Sequence, residues 1–442
     1  MSRLLPRRMR DLPSAVWILL AGTLITRAGS FAVPFLTIYL HNERGLSLRA
    51  AGVAMAAWGA GGMVASVTGG SLADRLGRKP VVVGSPLLGG LAIAALLLTQ
   101  HPAMVVAVAL VAGAVSESGR PAVSAMLTDL TPAERRIDAF ALFRLVVNLG
   151  FAVGTGLGGL LITHIGFVRL FLADAATSWI YAVVALAFLR ETKPVGLAAR
   201  YESGTVPGGR GFRAVVEDRL FRRFWVGSFV NALVFAQTMV TLPLVLTERG
   251  FSPAVYGGLI SVNGLVIIAT EFWISGRTRR FAAPRVMALG SLVLGGGYAL
   301  VGAVGQSIPL LLAAVLVWTV GEMLGSPTGW AYMSALAPPD LRGRYAGGLG
   351  LAWSLAFTIG PILGSAALEA GHGTLWLGTL ALAVASAALF ATLPARAPVA
   401  EDVTSAAAPA DPSPVAPVAV AVPDQAPAGR GRLLPRFAKP RS

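Results

Sequence analysis

Glu322 stands in the stretch "VWTVGEMLGSPTGW", with no cation nearby in sequence and a Gly-Ser-Pro break just after it. A carboxyl group in an apolar setting without a partner can hold a proton and give it up again. Proton uptake from one side and release to the other is the chemistry this residue could do. Glu271, in "VIIATEFWISG", is a second carboxylate of the same kind, nearer the end of its run. Arg27, Glu117, Arg120, Arg144 and Asp174 also interrupt apolar runs. A charge in hydrocarbon costs at least about 2.5–3.5 kcal/mol, so each needs a reason to be there. Glu117 and Arg120 are three apart, on one face of a helix, and can neutralise each other. Arg27 and Arg144 have no acid at helical spacing and must face Glu117, Asp174, water or an anionic ligand. Asp174, close to the end of its run, reads as a residue that orients an arginine.

The elements that position these residues follow from hydropathy. The 442 residues are 55% hydrophobic and 13% charged, against about 25% charged in soluble domains. About 20 consecutive apolar residues cross a bilayer. Breaking the apolar windows at charge, Pro and Gly predicts twelve spans, at 14–40, 48–70, 80–99, 103–127, 138–163, 167–189, 223–247, 255–275, 284–305, 308–335, 345–369 and 374–394. The expected fold class is an all-α membrane protein of 12 transmembrane helices. The first run continues past Arg27 and is too long for a signal peptide, so it reads as an uncleaved helix. The spans group as two six-helix bundles, 13–190 and 223–394, joined by a basic linker at 191–222. A basic segment, 1–12, precedes them. An Ala/Pro-rich tail, 395–442, lacks the bulky residues needed to pack and is predicted to be disordered.

Loops at one end carry Arg75, Arg78, Lys79, Arg135, Arg136, Arg277, Arg279, Arg280, Arg285, Arg342 and Arg344; the opposite loops carry Arg44, Arg49, Arg169 and Arg249. Cationic loops stay on the cytoplasmic side. This predicts a multi-pass cell-membrane protein with both termini and the linker cytoplasmic. The formal charge of +15 is thereby explained without a nucleic-acid partner. The excess of Arg over Lys points to a GC-rich bacterial genome. There is no cysteine, and the four histidines are scattered, which argues against thiolate or histidine metal sites. No catalytic triad or Walker loop is present, so no catalytic residue, metal or cofactor is expected. Any pumping would draw on an ion gradient. The expected partners are a small-molecule substrate, protons and the lipid bilayer, with the chain acting as a monomer.

An internal repeat supports the six-plus-six grouping. Gly119, Pro121, Leu130, Pro132, Arg136, Gly154 and Gly158 align without gaps on Gly325, Pro327, Leu336, Pro338, Arg342, Gly360 and Gly364. Identities at Pro and Gly constrain backbone shape, so the two bundles should be pseudo-symmetric. Parallel repeats of this kind place a binding site between the halves near mid-membrane.

Gly70, Asp74, Arg75, Gly77, Arg78 and Lys79 reproduce G-x-x-x-D-R-x-G-R-K between spans 2 and 3. With twelve spans, a basic central loop and repeated halves, the chain resembles the major facilitator superfamily over nearly its whole length. The resemblance implies that Asp74 pairs with cations of its own loop and meets the start of a second-half helix, forming a cytoplasmic gate. Gly77 would give the turn, and Gly70 would admit a neighbouring helix. The matching loop, Ser275 to Arg285, keeps Gly276 and arginines but lacks the acid. Gly150, Gly154, Gly158 and Gly159 in span 5 resemble the superfamily's antiporter signature, with Thr155 where proline is expected; Gly360, Pro361 and Gly364 are the second-half counterparts. Small residues at this spacing also serve ordinary helix packing.

The likeness is greatest to the drug–proton antiporter branch, through Arg27, "GRPAVSAML" and "NLGFAVGTGLGG". It implies proton-coupled efflux of a small hydrophobic or amphipathic compound by alternating access, with Glu322 and Glu271 as proton carriers. Trp330, Trp353 and Phe357 are candidate contacts. The alternative is an uptake symporter or facilitator for an anionic metabolite, which Arg27, Arg120 and Arg144 would suit.

Overall fold

The computed structural model describes residues 12–132, 135–192, 212–338 and 341–395, and these are helical apart from short connections. The N-terminal segment up to residue 11, most of the linker (193–211) and the tail from 396 lie outside the described residues. Among the described residues, eleven helices are long and apolar enough to cross a membrane. One of them, Asp138–Phe188, has 51 residues, enough for two crossings. It breaks at Gly166, whose φ of 75° and ψ of 168° are not helical, and that break supplies the twelfth crossing. Spans 2, 3 and 4 are Leu48–Leu76, Arg78–Leu98 and Pro102–Leu130. Spans 5 and 6 share Arg136–Phe188. Spans 8 to 12 are Pro253–Thr278, Ala283–Ala303, Ile308–Leu336, Arg342–Glu369 and His372–Ala391.

Spans 1 and 7 depart from the continuous runs expected. Span 1 is Ser14–Ala28 followed by Ala32–Ile38, ending in a π-turn at Tyr39–Glu43. Span 7 is Arg219–Ala236 followed by Thr241–Glu248. Span 7 also begins before the expected 223. Asp218 accepts from the backbone N–H of Leu220 and Phe221 at 2.8 and 3.0 Å, a helix N-cap. The arginines of that first turn had hidden the helix from hydropathy.

The two breaks are packed alike. A side chain at Gly154 would strike the carbonyl oxygens of Arg27 and Ala28, each at 2.8 Å. Its counterpart Gly360 would strike the Ala236 side chain at 2.8 Å. Span 5 therefore presses on the break of span 1 as span 11 presses on that of span 7. The sequence repeat becomes two pseudo-symmetric six-helix bundles.

Among the described residues four hydrophobic clusters hold the helices together, the smallest at Ala232, Leu233 and Ala356. The largest joins both halves: Phe35, Tyr39 and Phe171 of the first with Tyr256, Tyr298, Trp318 and Trp376 of the second. It sits at the end away from the basic loops. At the basic end one core, around Leu19, Met126 and Leu142, belongs to the first half. Another, around Phe224, Tyr332 and Tyr345, belongs to the second.

Candidate transport site

Glu322 faces span 8. Its Oε2 accepts a hydrogen bond from Asn263 Nδ2 at 3.2 Å, and the same amide donates to Thr319 Oγ1 at 2.9 Å. Asn263 thus orients the carboxyl group without supplying a charge. Among the described residues no cation lies within ion-pair distance of it. Glu271, one turn or more toward the basic end, is different. The sequence places it beside Glu322 as an unpartnered carboxylate; the structure pairs it with Arg144, from span 5 of the other half. Arg144 is therefore removed from the charge group expected around Glu117 and Asp174. A bridge between residues 127 apart has no local signal. The Arg144 side chain is 59% exposed and that of Glu271 22%, so the bridge stands at a wetted gap between the halves.

A cavity of about 200 Å³ opens inside the first half, lined by Arg27, Glu117, Arg120, Asp174, Trp58 and Phe151 among others. Arg120 and Glu117 bond at 3.2 Å on one face of span 4. Arg27 closes the last turn of Ser14–Ala28. Asp174 orients no arginine. Its Oδ2 accepts from the backbone N–H of Ala32 at 2.7 Å, at the start of the second piece of span 1. A carboxylate there meets unsatisfied N–H groups and the positive end of the helix dipole. Asp174 is a cap for the broken span, a role invisible in sequence because its partner is backbone.

The motif between spans 2 and 3 is centred on Arg78, which is 5% exposed. Its guanidinium bonds Asp74 Oδ1 at 2.9 Å and Asp129 Oδ2 at 3.1 Å. Glu191 accepts from the backbone N–H of Arg78 and Lys79 at 2.9 and 3.1 Å. Gly77 turns the chain at φ 111°, a conformation that suits glycine. Asp74 thus pairs inside its own half. Among the described residues no hydrogen bond or ion pair joins Asp74 to a second-half helix, the contact that the resemblance had implied. Gly70 likewise has nothing within 4 Å of the position a side chain would take, so it admits no neighbour here. Asp129, Glu191 and the cap Asp218, whose Oδ2 accepts from Tyr345 at 2.7 Å, were missed by motif reading. Asp129 and Glu191 lie outside the motif and bind it only through the fold, while Asp218 serves the second half.

The span 5 glycines serve two interfaces. Gly150, Gly154 and Gly158 face span 1, at Arg27, Ala28, Phe31 and Phe35. Gly159 faces the other half, where a side chain would meet the Pro253 oxygen at 2.7 Å. In span 11, Gly364 lies against Gln237 and Thr241, while the Pro361 oxygen lies 2.8 Å from where a Gly52 side chain would begin. Of the aromatic candidates, Trp353 packs on Phe235 and Phe357 with ring centres 5.5 and 6.4 Å apart. Trp330 is 45% exposed.

The family model of the Major Facilitator Superfamily matches residues 18–347 and again 224–434. The chain belongs to the major facilitator superfamily. Among curated members it is 28% identical over 367 residues to the uncharacterized MFS-type transporter YqjV of Bacillus subtilis, covering 82% of this chain and 88% of that one. It is 25% identical over 416 residues to the Na(+), Li(+), K(+)/H(+) antiporter of Planococcus maritimus, covering 84% and 97%. It is 23% identical over 357 residues to the multidrug resistance protein MdtH of Salmonella typhimurium, covering 80% and 87%. Among solved structures, the nucleoside transporter NupG superposes with a TM-score of 0.72 at 15% identity, covering 86% of this chain and 99% of that one. A POT family transporter in complex with 5-aminolevulinic acid superposes at 0.71 and 17%, covering 86% and 96%. As a member of the superfamily, the protein is a secondary transporter in a membrane.

Proposed function

We propose that the protein is a proton-coupled exporter of a small amphipathic compound, working by alternating access in the cell membrane. The observation that carries this reading is the contrast among its intramembrane acids. Glu117 and Glu271 each hold an arginine and Asp174 holds a helix end, while Glu322 has only neutral partners. Of these four, only Glu322 can change charge without breaking an ion pair or giving up the cap of a helix end. A proton on Glu322 favours one facing state, and its release favours the other. Relatives named for multidrug resistance and for antiport with H(+) favour export in exchange for protons.

The basic end is read as cytoplasmic, with both termini there. The halves take residues 13–190 and 219–394 around the linker between them, and the chain works as a monomer. The state seen is inward-facing, since the halves share a core only at the other end.

The test begins with deletion of the gene and identification of a compound whose toxicity or secretion changes. In proteoliposomes an imposed pH gradient should drive that compound. Glu322→Gln should lose the gradient-driven flux, while exchange of labelled for unlabelled compound without a gradient persists. Equal flux with and without the gradient would remove proton coupling. Accumulation of the compound by cells, in place of its exclusion, would favour the uptake alternative.

A further inference from the structure

We infer that the first-half cavity docks an anionic group of the transported compound, a carboxylate or a phosphate, on Arg27. This rests on the transport reading above but not on proton coupling. Three arginines lie within the membrane spans near the centre. Arg144 is bound by Glu271 and Arg120 by Glu117. The Arg27 guanidinium has no hydrogen bond or ion pair among the described residues. The charges acting on it are those of Glu117 and Arg120, and Glu117 is already bonded to Arg120. Asp174 shares the cavity and balances its formal charge, but its carboxylate is hydrogen-bonded to the backbone N–H groups of Ala32 and Phe31 and not to Arg27.

The backbone of Arg27 is also fixed in place. Arg27 Cβ lies 2.6 Å from where a Gly150 side chain would begin, and its carbonyl oxygen 2.8 Å from the same point at Gly154. Span 5 therefore clamps the backbone of Arg27, which has little room to swing away. Around it Ser30, Ser116 and Ser178 line the cavity, with hydroxyl groups that have no protein partner among the described residues. Trp58 and Phe151 supply apolar wall. A guanidinium without a hydrogen-bond partner, free hydroxyl donors and an aromatic wall match an acid head on a short apolar body. Arginine binds planar oxyanions through paired N–H groups. A neutral or cationic compound would leave the N–H groups of that guanidinium without an anionic acceptor in a low-dielectric site.

The test is equilibrium binding to the purified full chain, read by fluorescence of Trp58, with Trp58→Phe as the control. Benzoate and naphthoate are titrated against benzamide and naphthamide, with phenyl phosphate as the doubly charged member. The acids should bind at least about tenfold tighter than their amides, as expected for a charge-assisted hydrogen bond. Arg27→Gln should erase that preference, and Arg27→Lys should keep part of it. Equal binding of acid and amide, no binding of any acid, or a preference that survives Arg27→Gln would overturn the inference. Should Arg27→Gln fail to fold, the wild-type comparison and Arg27→Lys decide. Binding needs no gradient, so the two readings fail separately. Acid preference without gradient-driven flux removes only the coupling; driven flux without acid preference removes only this site.

Discussion

The two ends of the molecule are built differently. At the end away from the basic loops the halves share one core, and glycines let their backbones meet. Side chains at Gly59 and Gly159 would strike the oxygens of Phe357 and Pro253 at 2.6 and 2.7 Å. Ser261 bonds the Ala152 oxygen at 2.6 Å, and Arg49 bonds Glu369 through its backbone N–H at 3.1 Å and its Nε at 2.5 Å. At the basic end each half has its own core and settles its own charges. Arg78 is held by Asp74 and Asp129, and Asp218 by Tyr345 and its own helix. Positions Gly70, Gly276, Gly343 and Gly347 meet nothing within 4 Å. An end can open at low cost when neither half is left with an unpaired buried charge. An end can close and reopen when its contact is mostly apolar and flat, with one exposed ion pair.

Substitutions can break this comparison end by end. The largest effect is expected at the basic end from Arg78→Ala, which leaves two carboxylates facing each other. Removing one partner of a buried pair costs about 3 kcal/mol, so the midpoint of unfolding in detergent should fall clearly. Retained stability would mean that the first half does not depend on its own charge group. Next comes Gly59→Val. The added carbons occupy the place of the Phe357 oxygen, so the shared core cannot close, and transport should fall about tenfold, or ~1.4 kcal/mol, with folding retained.

Exchanging the bridge at the gap sharpens the comparison further. Arg144→Glu or Glu271→Arg alone should impair transport, and the double exchange should restore part of it. The coupling energy should be about 1 kcal/mol, because a pair this exposed is screened. The smallest effect belongs to Arg49→Ala, at a side chain 72% exposed. It should shift the balance of facing states by no more than about 1 kcal/mol, less in high salt. If Arg49→Ala outweighed Gly59→Val, the closed end would be held by charge and not by packing.

Much of this was legible in the sequence. Twelve runs of apolar residues, the aligned glycines and prolines of the two halves, and Gly77 before Arg78 are local signals, and the fold follows them. The broken spans were not legible, because Asp174 caps Ala32 across 142 residues and hydropathy sees no break at Gly29 or Gln237. The Arg144–Glu271 bridge was equally hidden, since either residue alone reads as an unpaired intramembrane charge. Which end is open is a property of packing between halves, and one sequence encodes both states.

The chain has no cysteine, so label pairs can be introduced without removing native thiols. Leu76→Cys with Gly343→Cys reports across the basic end, and Leu98→Cys with Ile308→Cys across the other. These positions are exposed or face open space. Spin-label distances should be measured for both pairs in lipid, with Glu322 native and as Glu322→Gln. The account predicts that the two distances change in opposite directions when Glu322 is neutralised. Two distances that change together, or neither changing, would contradict alternating closure governed by that glutamate.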